Sequence, residues 1–422
     1  MRRLAVLSMH TSPLAQPGVG DSGGMNVYVR ELSSALARAG VACDVYTRSS
    51  GRKDPPSVVV EPGFVVHHVE AGPRREVDKS ALWQLVPAFA EGVAALLDEQ
   101  AARGAVTDAL HANYWLSGVA GHALKHRLEL PLVATFHTLD RVKAEAEPEE
   151  RDGRAAGRRA AAEAEVVGCA DALLASCAVE AEQLVELYGA DPARIEIVAP
   201  GVDRAVFSPG DRGQARRALG LAPGGPLLLF VGRIQPLKGA SIALGCLQAL
   251  DALGVEGSEL VLVGGPSGPE GPGELAQLRS KAHAAGLERR VRFVPPQSRE
   301  LLSTYYRAAD ACLVPSRSES FGLVALEAAA CGVPVVASAV GGLTTLVEDG
   351  LTGFLVELSG SPEAISREFA ARVAQLWARP GRAREMGAAA AARAGGYTWP
   401  VAAARLRRLY QELTARSLVD CR

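Results

Sequence analysis

The feature that most constrains this chain is a rhythm of short apolar runs, most of them followed by a stretch with helical spacing. Residues 3–9, 41–47, 58–60, 65–69, 109–112, 132–135, 172–175 and 195–198 form one series of expected strands. Residues 227–232, 259–263, 291–294, 311–314 and 335–338 form a second. Residues 25–39 carry Val27, Leu32, Leu36 and Ala39 at helical spacing, and residues 398–413 repeat it through Val401, Leu406, Leu409 and Tyr410. Residues 80–97 are long enough for a helix despite Pro87, and residues 386–396 make an alanine-rich helix. Such alternation builds parallel sheets covered by helices, so the chain is expected to be α/β with two layered sheets. A length of 422 residues accommodates them at roughly 150 to 200 residues per domain. Two Pro/Gly turns, Ala199-Pro200-Gly201 and Ser208-Pro209-Gly210, place the boundary, with residues 1–205 in the first domain and 206–399 in the second; an ordinary loop inside one larger sheet is the alternative.

Composition excludes several classes. Apolar residues at 48% and charged ones at 22% describe a globular chain and not a disordered one. Lys plus Arg at 45 against Asp plus Glu at 47 leaves no broad basic footprint for a nucleic acid. Cys43, Cys169, Cys177, Cys246, Cys312, Cys331 and Cys421 form no close pair at ligand or redox spacing, and their number is odd. They are expected to be reduced, mostly structural thiols. The histidines make no H-E-x-x-H or comparable grouping, so no catalytic zinc is expected. No apolar run reaches spanning length, residues 1–9 suit a first strand better than a signal peptide, and a cytoplasmic location is the expectation.

Three segments carry chemistry. Pro17-Gly18-Val19-Gly20-Asp21-Ser22-Gly23-Gly24-Met25-Asn26 lies between the first strand and first helix, where glycines admit an anion to backbone donors and a helix N-terminus. Gly18, Gly20 and Gly23 match G-x-G-x-x-G, but the loop is too long after the strand for a dinucleotide turn. A sugar or phosphate site and a plain structural loop both remain. In Gly232-Arg233-Ile234-Gln235-Pro236-Leu237-Lys238-Gly239, two cations flank a turn at a strand end and can converge on a diphosphate; the bland alternative is surface charge. Glu319 and Glu327, in the loop and helix after residues 311–314, suit sugar and ribose hydroxyls. Paired glycosidase acids, or helix capping by Glu319 or Ser320, compete with that reading. His10, Lys79, Tyr114, His137, Thr138, Arg158 and Arg159 are further polar candidates, although Lys79, next to Asp78, reads first as an ordinary surface cation. Residues 144–162, interrupted by Pro148 and Gly153, look like a solvated loop and helix surface.

Together these segments resemble the retaining glycosyltransferases of family 4, which have the GT-B fold. The resemblance covers most of the chain: residues 10–29, Tyr114-Trp115-Leu116-Ser117-Gly118, His137-Thr138-Leu139, residues 232–238 and residues 319–327. It implies two Rossmann-like domains facing across a substrate cleft, with residues 400–422 returning to the N-terminal domain. The stretch at 10–29 is the narrower clue. It implies transfer of N-acetylglucosamine from UDP-N-acetylglucosamine to 1D-myo-inositol 3-phosphate with retention, the first step of mycothiol biosynthesis. Carried over, the donor side is Gly24, Arg233, Lys238, Val294, Glu319 and Glu327. The acceptor side is His10, Gln16, Pro17, Asp21, Asn26, Lys79, Tyr114, Thr138 and an arginine at Arg158 or Arg159. Arg233, Lys238, Glu319 and His137 would be catalytic. Family members also bind magnesium through main-chain oxygens matching Tyr306, Arg307 and Ala309, use no redox cofactor, and form homodimers. Ala162-Glu163-Ala164-Glu165 departs from the expected Glu-Gln-Gln pattern. A different acceptor for a family-4 transferase, or a non-catalytic nucleotide-sugar binding protein, remains an alternative.

Overall fold

The structure is a computed structural model that describes residues 2–146, 153–268 and 270–421. Pro148, in the charged stretch noted above, lies outside them. By its contacts the chain divides into two units: Met1–Ala15, Gly24–Gly201 and Trp399–Arg422 in one, Gln16–Gly23 and Val202–Thr398 in the other.

The first unit is built on eight strands: β1 (Arg3–Leu7), β2 (Ala42–Arg48), β3 (Ser57–Glu61), β4 (Phe64–Val69), β5 (Ala109–Asn113), β6 (Leu132–Thr135), β7 (Ala172–Ala175) and β8 (Ile195–Ile197). Their order is β3-β4-β2-β1-β5-β6-β7-β8, and β3 alone among them runs antiparallel to its neighbour. Central strands such as β1, β5 and β6 are buried nearly throughout because helices cover both faces. On one face Val93, Leu116, Ala120 and Val166 close the core. On the other, Leu32 and Leu36 meet Trp399, Leu406 and Tyr410 of the last helix, Trp399–Leu413. Tyr410 also reaches His111 Nδ1 at 2.8 Å.

The second unit holds β9 (Leu227–Val231), β10 (Glu259–Val263), β11 (Val291–Val294), β12 (Ala311–Val314), β13 (Val335–Ser338) and β14 (Gly353–Val356), all parallel, in the order β11-β10-β9-β12-β13-β14. Leu229 faces Val261 on one side and Cys312 on the other, so β9 is where the strand order reverses. In the first sheet β1 has that place, between β2 and β5. The crevice beyond the carboxyl ends of strands at such a point is where open α/β sheets bind ligands.

Several expectations shift. Pro87 sits in the first turn of the helix Val86–Ala102 and so breaks nothing. β14 was not expected. The loop Gln16–Gly23, expected in the first domain, groups with the second: Gln16 Nε2 donates to Pro296 O at 3.3 Å. The chain changes unit at Gly201/Val202, four residues before the expected boundary. The expectation of reduced thiols fails for two cysteines: Cys169 and Cys421, 252 residues apart in sequence, are joined as a disulfide. Sequence spacing could not reveal a pair that only the return of the chain end brings together. Cys43, Cys177, Cys246, Cys312 and Cys331 are free and buried. No helix among the described residues is long and apolar enough to cross a membrane.

Candidate active site

In the second unit the loops after β9 and β12 meet. Arg317 N donates to Leu237 O at 2.9 Å, stitching one loop to the other. Gly239 turns at φ +68°, and a Cβ there would lie 2.1 Å from Pro315 O, so only glycine allows the approach. The result brings Lys238 Nζ within 2.6 Å of Glu319 Oε2, with each side chain 21% exposed. Ser316 Oγ donates to the same oxygen at 3.4 Å. Glu319 is held from behind as well: its carbonyl accepts from Gly342 N at 3.0 Å. Arg233, at the end of β9, lies beside Gly23 and donates from Nη1 to Ser267 Oγ at 3.4 Å. Two cations and a carboxylate therefore gather at the point of strand-order reversal, with Lys238 and Glu319 preorganised but still open to solvent.

The other donor-side candidates are placed differently. Glu327 Oε2, on the helix Leu323–Ala330, accepts from the buried Tyr306 hydroxyl at 2.9 Å. Burial first and Glu327 second push that phenol's pKa well above its ordinary value, so it stays a donor. Val294 ends β11 and is buried. Gly24 opens the helix Gly24–Arg38 and belongs to the first unit.

Tyr306, Arg307 and Ala309 close the helix Arg299–Ala308. Arg307 Nε donates to Ser208 O at 2.8 Å, and Tyr306 O accepts from Ala309 N at 3.0 Å. Carbonyls at a helix C-terminus are the hard oxygen donors magnesium takes, so the donor chemistry fits.

In the first unit the acceptor-side candidates assemble around Tyr114, just after β5. The His10 and Tyr114 rings stand 4.3 Å apart. Lys79 Nζ lies 5.6 Å from the Tyr114 ring centroid and the Arg159 guanidinium 5.0 Å from it. Arg159 Nη2 donates to Thr138 O and Oγ1 at 2.7 and 3.0 Å. This separates the two arginines that the sequence left unresolved: Arg158 instead stacks on Trp83, 4.0 Å from its ring centroid. Asn26 Nδ2 donates to Thr11 Oγ1 and Ser12 O at 2.7 and 2.6 Å, which fixes the loop carrying His10. Gln16, Pro17 and Asp21, expected with these residues, belong by contacts to the second unit.

Glu163 is the residue that sequence reasoning missed. It is fully buried, accepts from Arg159 Nε at 2.7 Å and Asp140 N at 2.9 Å, and also accepts from the Tyr188 hydroxyl. Burial pushes its carboxyl pKa up, against the pull of Arg159. The departure at Ala162-Glu163-Ala164-Glu165 thus carries an anchor for Arg159. The available signal was the Arg159/Glu163 spacing of four on one helix face.

His137 Nε2 lies 2.9 Å from Asn113 Oδ1. Burial, helped by His111, brings its pKa down to about 3, so the ring is a neutral imidazole near pH 7 and not an imidazolium acid. Tyr114 and His137 both adopt positive φ, +75° and +62°. Such strain costs about 1–3 kcal/mol each and persists where the surroundings over-determine it; here Tyr114 N donates to Thr135 O at 2.8 Å.

Residues 211–393 match the family described as glycosyl transferases group 1, and residues 22–206 match glycosyltransferase family 4. A D-inositol 3-phosphate glycosyltransferase of Actinosynnema mirum is 46% identical over 409 residues, covering 94% of each chain. The chain belongs to the family of D-inositol 3-phosphate glycosyltransferases. A second member of that name, from Mycobacterium sp. (strain KMS), is 50% identical over 84% of this chain and 79% of its own. Among solved structures, sucrose-phosphate synthase from Thermosynechococcus elongatus superposes with a TM-score of 0.87 at 32% identity, covering 98% of this chain and 100% of its own. The enzyme is thus a glycosyltransferase of GT-B fold, as the sequence led us to expect.

Proposed function

We propose that the enzyme transfers N-acetylglucosamine from UDP-N-acetylglucosamine to 1D-myo-inositol 3-phosphate with retention at the anomeric carbon. The observation that carries this reading is the pair of cations on one tyrosine: Lys79 and Arg159 at 5.6 and 5.0 Å from the Tyr114 ring centroid, with Thr138 and His10 beside them. Cations and hydroxyls in one small space suit a phosphorylated polyol. The names of the relatives add an inositol phosphate. In the second unit Arg233 and Lys238 suit the diphosphate of a nucleotide sugar and Glu319 its hydroxyls.

In this reading negative charge develops on the departing diphosphate, and Arg233 and Lys238 stabilise it more in the transition state than at rest. Lys238 exchanges part of its contact with Glu319 for the phosphate. Attack on the same face is assisted by the leaving phosphate, and Glu319 is no nucleophile; a trapped covalent sugar on Glu319 would overturn that step. Neutral His137 acts as a polar contact. Magnesium, when bound, would be held by main-chain oxygens of Tyr306, Arg307 and Ala309 and would supply fixed positive charge there. The deciding experiment is UDP release across a panel of UDP-sugars against 1D-myo-inositol 3-phosphate, myo-inositol and hexose phosphates. Equal turnover of free inositol and its phosphate would refute the acceptor assignment.

A further inference from the structure

In the first unit, residues near the end of the chain make a second polar cluster. Residues 418–421 lie against the helix Trp115–Leu128, docked through a buried ion pair. Lys125 Nζ reaches Asp171 Oδ1 at 2.9 Å, Cys169 O at 2.7 Å and Val419 O at 3.1 Å, while Val419 N donates to Asp171 Oδ1 at 2.7 Å. Lys125 and Asp171 are 1% and 4% exposed, so the anchor is stiff. One residue to one side of Lys125 is His126 and three to the other is His122, a spacing of four that stacks both rings on one helical face. The two ring centroids are 5.1 Å apart.

Both imidazoles turn the same nitrogen toward the same two sulfurs. His126 Nε2 is 3.0 Å from Cys421 Sγ and 3.3 Å from Cys169 Sγ, and His122 Nε2 is 3.9 Å from Cys421 Sγ. All four atoms lie within 4.8 Å of one another. A disulfide needs only two sulfurs and gives no reason for two imidazoles to converge on it. A tetrahedral zinc does. With Zn–S near 2.3 Å and Zn–N near 2.0–2.1 Å, the edges of the tetrahedron are about 3.6 Å for N to S and about 3.8 Å for S to S. The nitrogen-to-sulfur distances already bracket that edge, and only the two sulfurs must part.

From this geometry we infer that His122, His126, Cys169 and Cys421, with both cysteines reduced, form a structural His2Cys2 site for zinc or a similar borderline-soft divalent ion. The ion and the disulfide are mutually exclusive states of one cluster. A thiol reductant gives two electrons and two protons to the disulfide, leaving two cysteine thiols and the reductant's own disulfide. Zinc then displaces the two thiol protons and sits between two thiolates and two neutral imidazoles, with no net charge. A disulfide oxidant reverses the sequence and expels the ion. Either state ties the chain end to the helix Trp115–Leu128 and to Cys169 at the end of the helix Gly153–Cys169. The inferred ion is structural and leaves the expectation of no catalytic zinc where it stood. His122 and His126 had the spacing, but their partners come from the ends of two distant segments.

The test uses the full chain, reduced with a phosphine and freed of metal by a chelator. Titration with cobalt(II) should give a single ion per chain, with the visible bands of a tetrahedral site and a near-ultraviolet thiolate-to-cobalt band, and zinc should displace it. Cys421→Ser and His126→Ala both change residues at or near the surface. Each should weaken zinc binding by more than about 100-fold, beyond what loss of an outer-shell contact does, while UDP release stays at the wild-type rate. Protein held in the disulfide form should take up no cobalt. Absence of the thiolate-to-cobalt band in reduced wild-type protein would overturn the assignment, as would zinc affinity unchanged in both variants.

Discussion

Replacing Lys238 by alanine separates structural from catalytic contributions at the donor loop. Lys238 Nζ sits 2.6 Å from Glu319 Oε2, and both side chains keep 21% of their surface exposed. Ion pairs of that exposure are worth about 0.2–1 kcal/mol. For a chain of this size that is a fall in Tm of no more than roughly 2–4 °C. The catalytic cost is larger, because a preorganised contact to charge that grows in the transition state is worth about 2.7–4 kcal/mol. That corresponds to a drop of about 10²–10³-fold in kcat. Donor KM should move much less, since the contact matters most after charge has developed. Thermal melting and steady-state UDP release on one preparation check both numbers. A Lys238→Met variant, keeping the apolar stem without the charge, should match the alanine variant. A well-folded alanine variant with kcat within a few-fold of wild type would refute the role given to Lys238.

Arg159→Ala should raise the KM for the phosphorylated acceptor about 10–150-fold, the range of a lost hydrogen bond to a charged group, while Arg158→Ala, which removes only a stack on Trp83, should leave acceptor saturation nearly unchanged. Gly341→Ala places a Cβ 2.0 Å from Glu319 O at φ +48°, so it should lower Tm and reduce kcat through the displaced Glu319 loop; an unaltered kcat would separate that loop from the chemistry. Acid should destabilise the first unit. His111 and His137 are both held to about 3 by burial, so each folded pKa lies below the unfolded value of about 6.5. Their stabilising contribution is complete above pH 6.5 and is lost as pH falls below it, by about 2 kcal/mol each between pH 6.5 and pH 5. Denaturant unfolding of His111→Gln at the two pH values should show about 2 kcal/mol less acid loss than wild type; an identical loss would refute the assignment.

Strands were legible where apolar residues run without interruption, as in β9 (LLLFV) and β10 (ELVLV). β14 escaped because its apolar run is only Phe354-Leu355-Val356, too short for periodicity to tell a strand from a loop, and it begins at a glycine. The donor loops were legible for a local reason: Arg233 and Lys238 are five residues apart on one turn. The acceptor cluster was legible only in part, since His10, Lys79, Tyr114, Thr138 and Arg159 come from separate segments and local patterns do not say which meet. Arg158 and Arg159 are neighbours on one helix, about 100° apart around its axis, and the choice between them rests on Glu163 and Trp83, contacts that spacing could only hint at. The Cys169–Cys421 pairing needed the path of the chain end, which no pattern records.

The last helix, Trp399–Leu413, gives the first unit Trp399, Leu406 and Tyr410, which close a core begun by Leu4 and Val45. A ribosome therefore delivers Leu4 and Val45 before Val202–Thr398 of the second unit, and the helix that completes their hydrophobic layer only after it. Until Trp399–Leu413 has been made and has docked, Leu4 and Leu36 lack their final cover and His111 lacks the Tyr410 hydroxyl. A premature stop after residue 398 would leave the second unit with its full sequence and the first open along one side, the kind of half-finished product that chaperones hold and proteases clear.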